Sequence, residues 1–236
     1  MAVDDGRLDA ADGMSANRYE QAYDQLVAIL LSGTYEPNTR LTEAELTQLL
    51  NVSRGTIRSV LVRLAQEGYV TSEVNRGVRT RLFSVADAVD ILEAREVLEG
   101  ALAAKAAERA TQEELDELAR TVDVMREAQL TGDAHEYSRQ NRHFHRQIRK
   151  AAHQETLARF FDALLYPLVM RQYRDLAAPH PRTLSLEEHQ AILYAIITRN
   201  PEAASAAMRH HISSARQGLL LRNAPSGRSA PDQDHE

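Results

Sequence analysis

Two short helical patterns separated by a three-residue turn constrain the fold of this chain more than any other feature. The first pattern opens with Thr42-Glu43-Ala44-Glu45, which has the form of a capping box at a helix start. The turn is Asn51-Val52-Ser53, and Ser53 is placed to cap the second helix, which Gly68 ends. Apolar residues recur along one side of that helix at Ile57, Val60, Leu61 and Leu64. The sequence therefore predicts a helix-turn-helix.

Two alternating runs follow and predict a β-hairpin. They lie on either side of Asn75-Arg76-Gly77, a tripeptide suited to a tight turn. An earlier helical pattern carries Tyr19, Leu26, Ile29 and Leu30 and ends near Gly33. Residues 19–82 are therefore expected to form a winged helix-turn-helix with the hairpin as its wing.

The rest of the chain is helical in pattern and polar at both ends. Residues 84–222 predict six helices in an antiparallel bundle, one of them a long helix from Thr156 to Leu176. Another is expected to begin at Ser185, in the run Ser185-Leu186-Glu187-Glu188. Residues 1–18 and 223–236 lack periodicity and are predicted to be disordered. The expected fold class is mainly α, with only the small wing as sheet.

Composition excludes several classes of protein. There are no cysteines, which excludes disulfides and thiolate metal sites. No apolar run is long enough to span a bilayer, and the acidic N-terminus is unlike a signal peptide, so a cytoplasmic protein with no membrane partner is expected. The net charge is −6, but residues 18–82 hold eight Arg against seven Asp and Glu. A global charge says little about one surface.

The second helix of the helix-turn-helix carries basic residues on its outward face. Arg54 and Arg58 are placed to contact guanine edges or phosphates in a major groove, and the wing puts Gly77 between two cations. The alternative is that these arginines are solvated surface charges. The predicted DNA-contacting residues are Arg40, Ser53, Arg54, Thr56, Arg58, Arg76, Gly77 and Arg79.

Three histidines and an asparagine share the inward faces of three helices in the second region. Asn141 and His145 are spaced i, i+4, while His189 and His211 lie on the apolar faces of their own helices. His210 is the neighbour most easily confused with His211. Neutral imidazole is the commonest ligand of borderline divalent metals, so the four residues predict a metal site with open positions. The alternative is three separate core histidines.

These motifs resemble a known family. Residues 33–82, with the run LNVSRGTIRSVLVRLAQEGYV, resemble the DNA-binding domain of the GntR family, although Asn38 stands where the family usually has glycine and Gly55 also departs from the pattern. Glu93-Ala94-Arg95, Asn141-x-x-Phe144-His145, Glu188-His189 and Met208-x-x-His211 resemble the FCD effector domain of the FadR subfamily. The resemblance implies that Arg54 and Arg58 contact DNA, that Gly77 is the wing tip, and that repression is the default.

For the second domain, the resemblance implies that Asn141, His145, His189 and His211 hold a divalent metal, most often zinc or nickel. Asn141 stands where the family has Asp or Asn, and an amide lacks the charge of a carboxylate, so weaker metal binding is expected than with Asp. Arg95 points inward and either binds a carboxylate effector together with the metal or forms an internal salt bridge, for instance with Glu99. Tyr137 and Arg142 are the other predicted effector-binding residues.

The resulting hypothesis is a homodimeric repressor that binds a pseudo-palindromic operator and responds to a small carboxylate. It is not an enzyme. One alternative keeps the regulator but replaces the metal site by a metal-free organic-acid or acyl pocket. A second alternative is a metal-dependent hydrolase, because a three-histidine site can activate water. The sequence has no His-Glu-x-x-His motif to support that alternative.

Overall fold

The computed structural model describes residues 6–73, 77–173 and 182–223. The chain divides into two compact units, residues 1–84 with 165–174 and residues 85–164 with 175–236. Helices dominate both units, and the strands form a small antiparallel sheet. This architecture confirms the predicted mainly α fold class with a small sheet as the wing.

The described residues of the first unit form four helices and a small three-stranded sheet. Its elements are α1 (Gly6–Ser32), β1 (Arg40–Leu41), α2 (Glu43–Leu50), α3 (Arg54–Gln66), β2 (Val70–Glu73), β3 (Gly77–Thr80) and α8 (Tyr166–Gln172). The sheet order is β1-β3-β2, and both pairings are antiparallel. In register, Arg40 pairs with Arg79 and Ser72 with Val78.

The turn between α2 and α3 forms for local reasons that the sequence shows. The Thr42 side chain accepts the Glu45 amide and caps α2, while Asn51 ends that helix in the left-handed conformation at φ 51°. Ser53 caps α3 by accepting the Thr56 amide at 3.1 Å. Fully buried Leu26, Leu46, Ile57, Val60 and Leu64 join α1, α2 and α3 in one core.

The second unit is the helical bundle. Its helices are α4 (Val85–Arg109), α5 (Gln112–Leu130), α6 (Ala134–Ala151), α7 (Glu155–Asp162), α9 (Arg182–Ile197) and α10 (Pro201–Asn223). Helix α4 packs most extensively on α10, α5 packs on α6, and α9 contacts both α5 and α10. The core includes Leu102, Leu118, Phe144, Ile148, Ile192 and Met208, all fully buried.

The prediction of a single helix over residues 156–176 is wrong. Helix α7 ends at Asp162, Leu165 takes a positive φ of 56°, and α8 starts anew at Tyr166. Pro167 lies in the first turn of α8. A proline inside a continuous helix would remove an amide donor and clash with the preceding turn, so the chain breaks before it. As a result α8 belongs to the first unit, where Gln172 and Tyr173 bond to the backbone of Phe83.

Three smaller predictions also need correction. Residues 6–18 are helical rather than disordered, because they extend α1 without a break and include alanines, which favour helix. Helix α9 begins at Arg182, so Ser185 lies within it and is not its cap. The wing has a third strand, β1, which was not predicted because two residues are too few to show an alternating sequence pattern. Of the predicted tail 223–236, Asn223 is the last residue of α10, and residues 224–236 lie outside the described residues.

Candidate nucleic-acid interface and metal centre

The exposed side of α3 presents two arginines at a four-residue spacing. Arg54 and Arg58 are exposed, whereas Ile57 and Val60 are buried in the core of the first unit. Arg58 donates through Nε to Oε1 of Glu43 at 2.8 Å, and this hydrogen bond lowers the pKa of the Glu43 carboxyl. The exposed ion pair holds the Arg58 guanidinium beside the start of α2.

Residues at the start of α3 order its first turn. Ser53 is exposed, and its Oγ lies 2.9 Å from Oγ1 of Thr56 in addition to accepting the Thr56 amide. The two hydroxyls therefore serve the helix cap, and Arg54 projects from the first residue of the helix.

The wing gathers further basic residues around a glycine. Arg40 and Arg79 are cross-strand neighbours, and Arg79 donates to the Asn38 carbonyl at 2.7 Å. Gly77 begins β3 at φ 78°, a conformation that glycine adopts without strain, and a side chain there would lie 3.7 Å from Nε of Arg40. Asn38 also has a positive φ, 62°, at the position where the GntR pattern usually has glycine. Asparagine adopts this conformation more readily than most other residues. Arg76 lies outside the described residues.

A face of this kind can bind a polyanion. Arginine forks suit both guanine O6/N7 and phosphate oxygens, and an arginine at a groove-facing helix start is typical of direct base contact. The remaining cations of the wing are placed to neutralise backbone phosphates.

In the second unit, three histidines converge on one point. Ligand nitrogens of His145, His189 and His211 lie within 4.8 Å of one another, and all three residues are buried. Helix α6 contributes His145, α9 contributes His189 and α10 contributes His211. His210, the neighbour in sequence, has 74% of its side chain exposed and does not belong to the cluster, although its Nε2 lies 3.8 Å from Oε1 of Glu188.

Each of the three rings is oriented by an oxygen at Nδ1. His145 Nδ1 pairs with Oε2 of Glu99, and His211 Nδ1 lies 2.8 Å from Oε2 of Glu188. His189 Nδ1 donates to the Ser185 carbonyl one turn earlier on α9. Since each Nδ1 faces an acceptor, we assign the proton of each neutral ring to Nδ1, which leaves each Nε2 with a lone pair.

Those lone pairs point at one another or at another acceptor. Nε2 of His145 lies 3.2 Å from Nε2 of His211, and Nε2 of His189 lies 2.8 Å from Oδ1 of Asn141. Protonation of Nε2 would remove this repulsion between lone pairs, but two of the rings resist protonation. Burial lowers the pKa of His145 to about 4 against the opposing charge of Glu99, and burial with repulsion from His211 and His145 lowers the pKa of His189 far below its usual value.

A divalent cation fits this donor set. Two imidazole nitrogens bound to one zinc ion, each at about 2.0–2.1 Å, lie about 3–3.5 Å apart, which matches the 3.2 Å between His145 and His211. The carboxylates behind the rings are the partners that metal-binding histidines usually have at their other nitrogen. Four donors from three helices, Asn141 included, therefore have the chemistry of a metal centre.

Arg95 lies next to this centre, but in an internal ion pair. Its Nε donates to Oε1 of Glu99 at 2.6 Å, and both side chains are buried. Burial alone would raise the pKa of Glu99, but the charges of Arg95 and His145 and their hydrogen bonds outweigh it and hold the pKa below its usual range. Of the two sequence alternatives for Arg95, the structure contains the salt bridge.

The other two predicted effector residues differ in placement. Tyr137 is buried, and its ring meets that of His189 edge-on with centroids 6.4 Å apart. Arg142 is exposed.

Comparison with known proteins matches each of the two regions to a protein-family model. The model for "Bacterial regulatory proteins, gntR family" matches residues 18–79, and the model for the FCD domain matches residues 90–214. The chain belongs to the GntR family. The order of a GntR head and an FCD domain is consistent with the FadR subfamily.

Relatives support this GntR assignment over most of their length. An uncharacterized HTH-type transcriptional regulator, YcbG of Bacillus subtilis, is 32% identical and covers 85% of this chain and 89% of its own. A probable D-xylose utilization operon transcriptional repressor of Paenarthrobacter nicotinovorans is 26% identical and covers 82% and 85%. The structure of Escherichia coli McbR/YncC has the same fold, with a TM-score of 0.70 at 20% identity over 87% of this chain and 98% of the other.

Family membership settles one of the sequence alternatives. GntR-family proteins are transcriptional regulators and not enzymes, so the metal-dependent hydrolase is excluded. Among the described residues, no helix has the length and apolar character needed to cross a bilayer.

Part of the candidate metal centre of this GntR protein is not predicted from its sequence. Glu99 was considered only as a partner of Arg95, although it also orients His145. Glu188 and the Ser185 carbonyl were not assigned a role. A usable signal existed for Ser185, which lies four residues before His189, so its carbonyl faces that ring along the helix.

Proposed function

We propose that this chain is a DNA-binding repressor whose operator affinity is set by a small carboxylate bound beside a divalent metal ion. Asn141, His145, His189 and His211 would hold the ion. The observation that carries the proposal is the convergence of ring nitrogens from three buried histidines whose rings are each fixed through Nδ1.

Zinc or nickel is the expected ion, because imidazole suits both. The ion would supply a Lewis acid with open positions that attract a carboxylate oxygen. Three of the donors and the Asn141 amide are neutral, so the centre keeps its full positive charge for an anionic ligand. The same neutrality predicts weaker metal binding than an Asp at position 141 would give.

The surrounding residues of the chain fix the donors in place. Glu99 and Glu188 orient His145 and His211, and Arg95 holds the Glu99 carboxylate in position. Removal of such supporting groups typically weakens metal binding about 10–100-fold.

The first unit would bind the operator through α3 and the wing. Arg54 and Arg58 contact base edges or phosphates, and Arg40 and Arg79 contact phosphates beside Gly77. A homodimer would place two such heads on a pseudo-palindromic site. The name of the Paenarthrobacter relative, a transcriptional repressor, supports repression over activation.

The test of DNA binding starts from DNA selected out of a randomised library by the full-length protein. Fluorescence anisotropy then compares wild type with Arg58→Ala, and with Arg126→Ala as the matched control, because Arg126 is an exposed arginine of the other unit. Loss of one base or phosphate contact should weaken binding by about 1–3 kcal/mol, or about 5–150-fold. Equal affinity in Arg58→Ala, or an affinity that does not change with salt, contradicts the proposal.

The test of metal control measures the same operator affinity after treatment with a chelator and after addition of zinc or nickel. Carboxylates and D-xylose are then added to each form. The proposal expects a carboxylate to change operator affinity only in the metal-loaded protein. An equal response with and without metal favours the metal-free organic-acid pocket, and a response to D-xylose alone contradicts the carboxylate class.

A further inference from the structure

Arg149 lies one helical turn beyond His145 on the same face of α6. Asn141, His145 and Arg149 follow one another at four-residue steps, which stack side chains along one side of a helix. The first two are donors of the proposed metal centre. With a rise of about 1.5 Å per residue, Arg149 starts about 6 Å further along the axis than His145.

The surroundings of Arg149 are unusual for a charged side chain. It is half-buried, and its guanidinium lies over the ring of Phe161 on α7, 4.2 Å from the ring centroid. Within the described part of the chain, Arg149 makes no hydrogen bond and no ion pair. Burial lowers its pKa, opposed by the charges of Glu99 and Asp162, but an arginine remains protonated in proteins.

Three other arginines of the second unit do have partners among the described residues. Arg95 pairs with Glu99, Arg109 donates to the carbonyls of Ala152 and His153, and Arg216 pairs with Glu93. The cation–π contact of Arg149 uses the face of its guanidinium and leaves the N–H donors at its edge available. Those donors form the fork that matches a carboxylate.

We propose that Arg149 binds the second carboxylate of a small dicarboxylate effector whose first carboxylate lies at the metal centre. This inference rests on the proposed function and narrows its ligand from carboxylates to dicarboxylates. The step of about 6 Å along α6 fits about two to four carbons between the two carboxyl groups, as in succinate or glutarate. Arg149 is then the residue that separates dicarboxylates from monocarboxylates.

The experiment uses the full-length chain loaded with zinc, and calorimetric titration with succinate, glutarate and propionate. The variants are Arg149→Met, which keeps the apolar stem, and Arg149→Lys, which keeps the charge but not the fork. Arg146→Met is the control, since Arg146 is an exposed arginine of the same helix. Zinc stoichiometry is measured for every variant.

Arg149→Met is expected to lose at least tenfold in affinity for the dicarboxylates, with propionate binding and zinc content unchanged. Arg149→Lys should lie between Met and wild type, and Arg146→Met should match wild type. Dicarboxylate affinity that survives in Arg149→Met overturns the role of Arg149. A zinc-loaded wild type that binds propionate as tightly as succinate, or binds neither dicarboxylate, overturns the ligand class. A wild type that holds no zinc contradicts the proposed function itself, and this inference with it.

Discussion

Replacing Glu99 by glutamine tests whether the buried charges beside the proposed metal centre are arranged as described. Glu99 is 1% exposed, and its two oxygens serve Arg95 at 2.6 Å and Nδ1 of His145. Glutamine keeps the volume but removes the negative charge beside Arg95, itself only 4% exposed. Breaking a buried ion pair from one side typically costs about 3–5 kcal/mol, because the remaining charge stays away from water.

The control for this variant is Asp123→Asn. Asp123 and Arg126 also form an ion pair at 2.6 Å within one helix, but 65% of the Asp123 side chain and 48% of the Arg126 side chain are exposed. Pairs of that kind contribute about 0–1 kcal/mol. Two ion pairs of equal length should therefore differ several-fold in their effect on stability, because Glu99 is buried and also bonds His145, whereas Asp123 is exposed.

The measurement is urea unfolding of the metal-free full-length chain, followed by far-UV circular dichroism because the sequence contains no tryptophan. Because no metal is bound, the change in the free energy of unfolding reports the ion pair and not a change in metal binding. A second series with zinc should show metal affinity reduced about 10–100-fold in Glu99→Gln. A loss of stability below about 1 kcal/mol, similar to Asp123→Asn, would refute the reasoning, because such a value belongs to a solvated pair.

Three further predictions concern the first unit. Ser53→Ala removes the cap of the DNA-facing helix and should reduce stability by about 1 kcal/mol, measured by urea unfolding, and no loss would contradict the capping role. Glu43→Gln removes the carboxylate that holds Arg58, so fluorescence anisotropy should show tighter binding to DNA of any sequence. The free energy of unfolding should change by less than about 1 kcal/mol, because the ion pair is exposed. Weaker DNA binding would contradict this prediction and would mean that the ion pair holds Arg58 in its DNA-binding position. Gln172→Ala removes the side chain that accepts from the Phe83 amide at 2.9 Å, so hydrogen exchange of that amide should accelerate about 5–100-fold, and unchanged exchange would contradict the docking of α8.

The sequence predicted those features that depend on local chemistry. Thr42 and Ser53 marked the helix starts because their side chains cap the helices that follow them. Helical periodicity separated inward His211 from its exposed neighbour His210, since residues one apart lie about 100° around the helix. The inward Asn141, His145 and His189 followed from the same period.

Features that depend on tertiary contacts were not predictable in the same way. Glu188 and His211 lie on different helices, and only the packing of α9 on α10 brings them together. Arg149 shares its face with His145, but its contact with Phe161 requires α7 to return over α6. The break at Leu165 had one local signal, Pro167, which the apolar pattern of the surrounding residues outweighed.

Metal content of the untagged full-length protein tests the central claim most directly. Wild type is measured by plasma mass spectrometry beside His189→Ala, and beside His210→Ala as a control, because His210 is exposed and adjacent in sequence to a proposed ligand. The account predicts one equivalent of zinc or nickel per chain in wild type and His210→Ala, and a large loss in His189→Ala. Metal content that is the same in all three proteins, or absent from wild type after incubation with either metal, would contradict it.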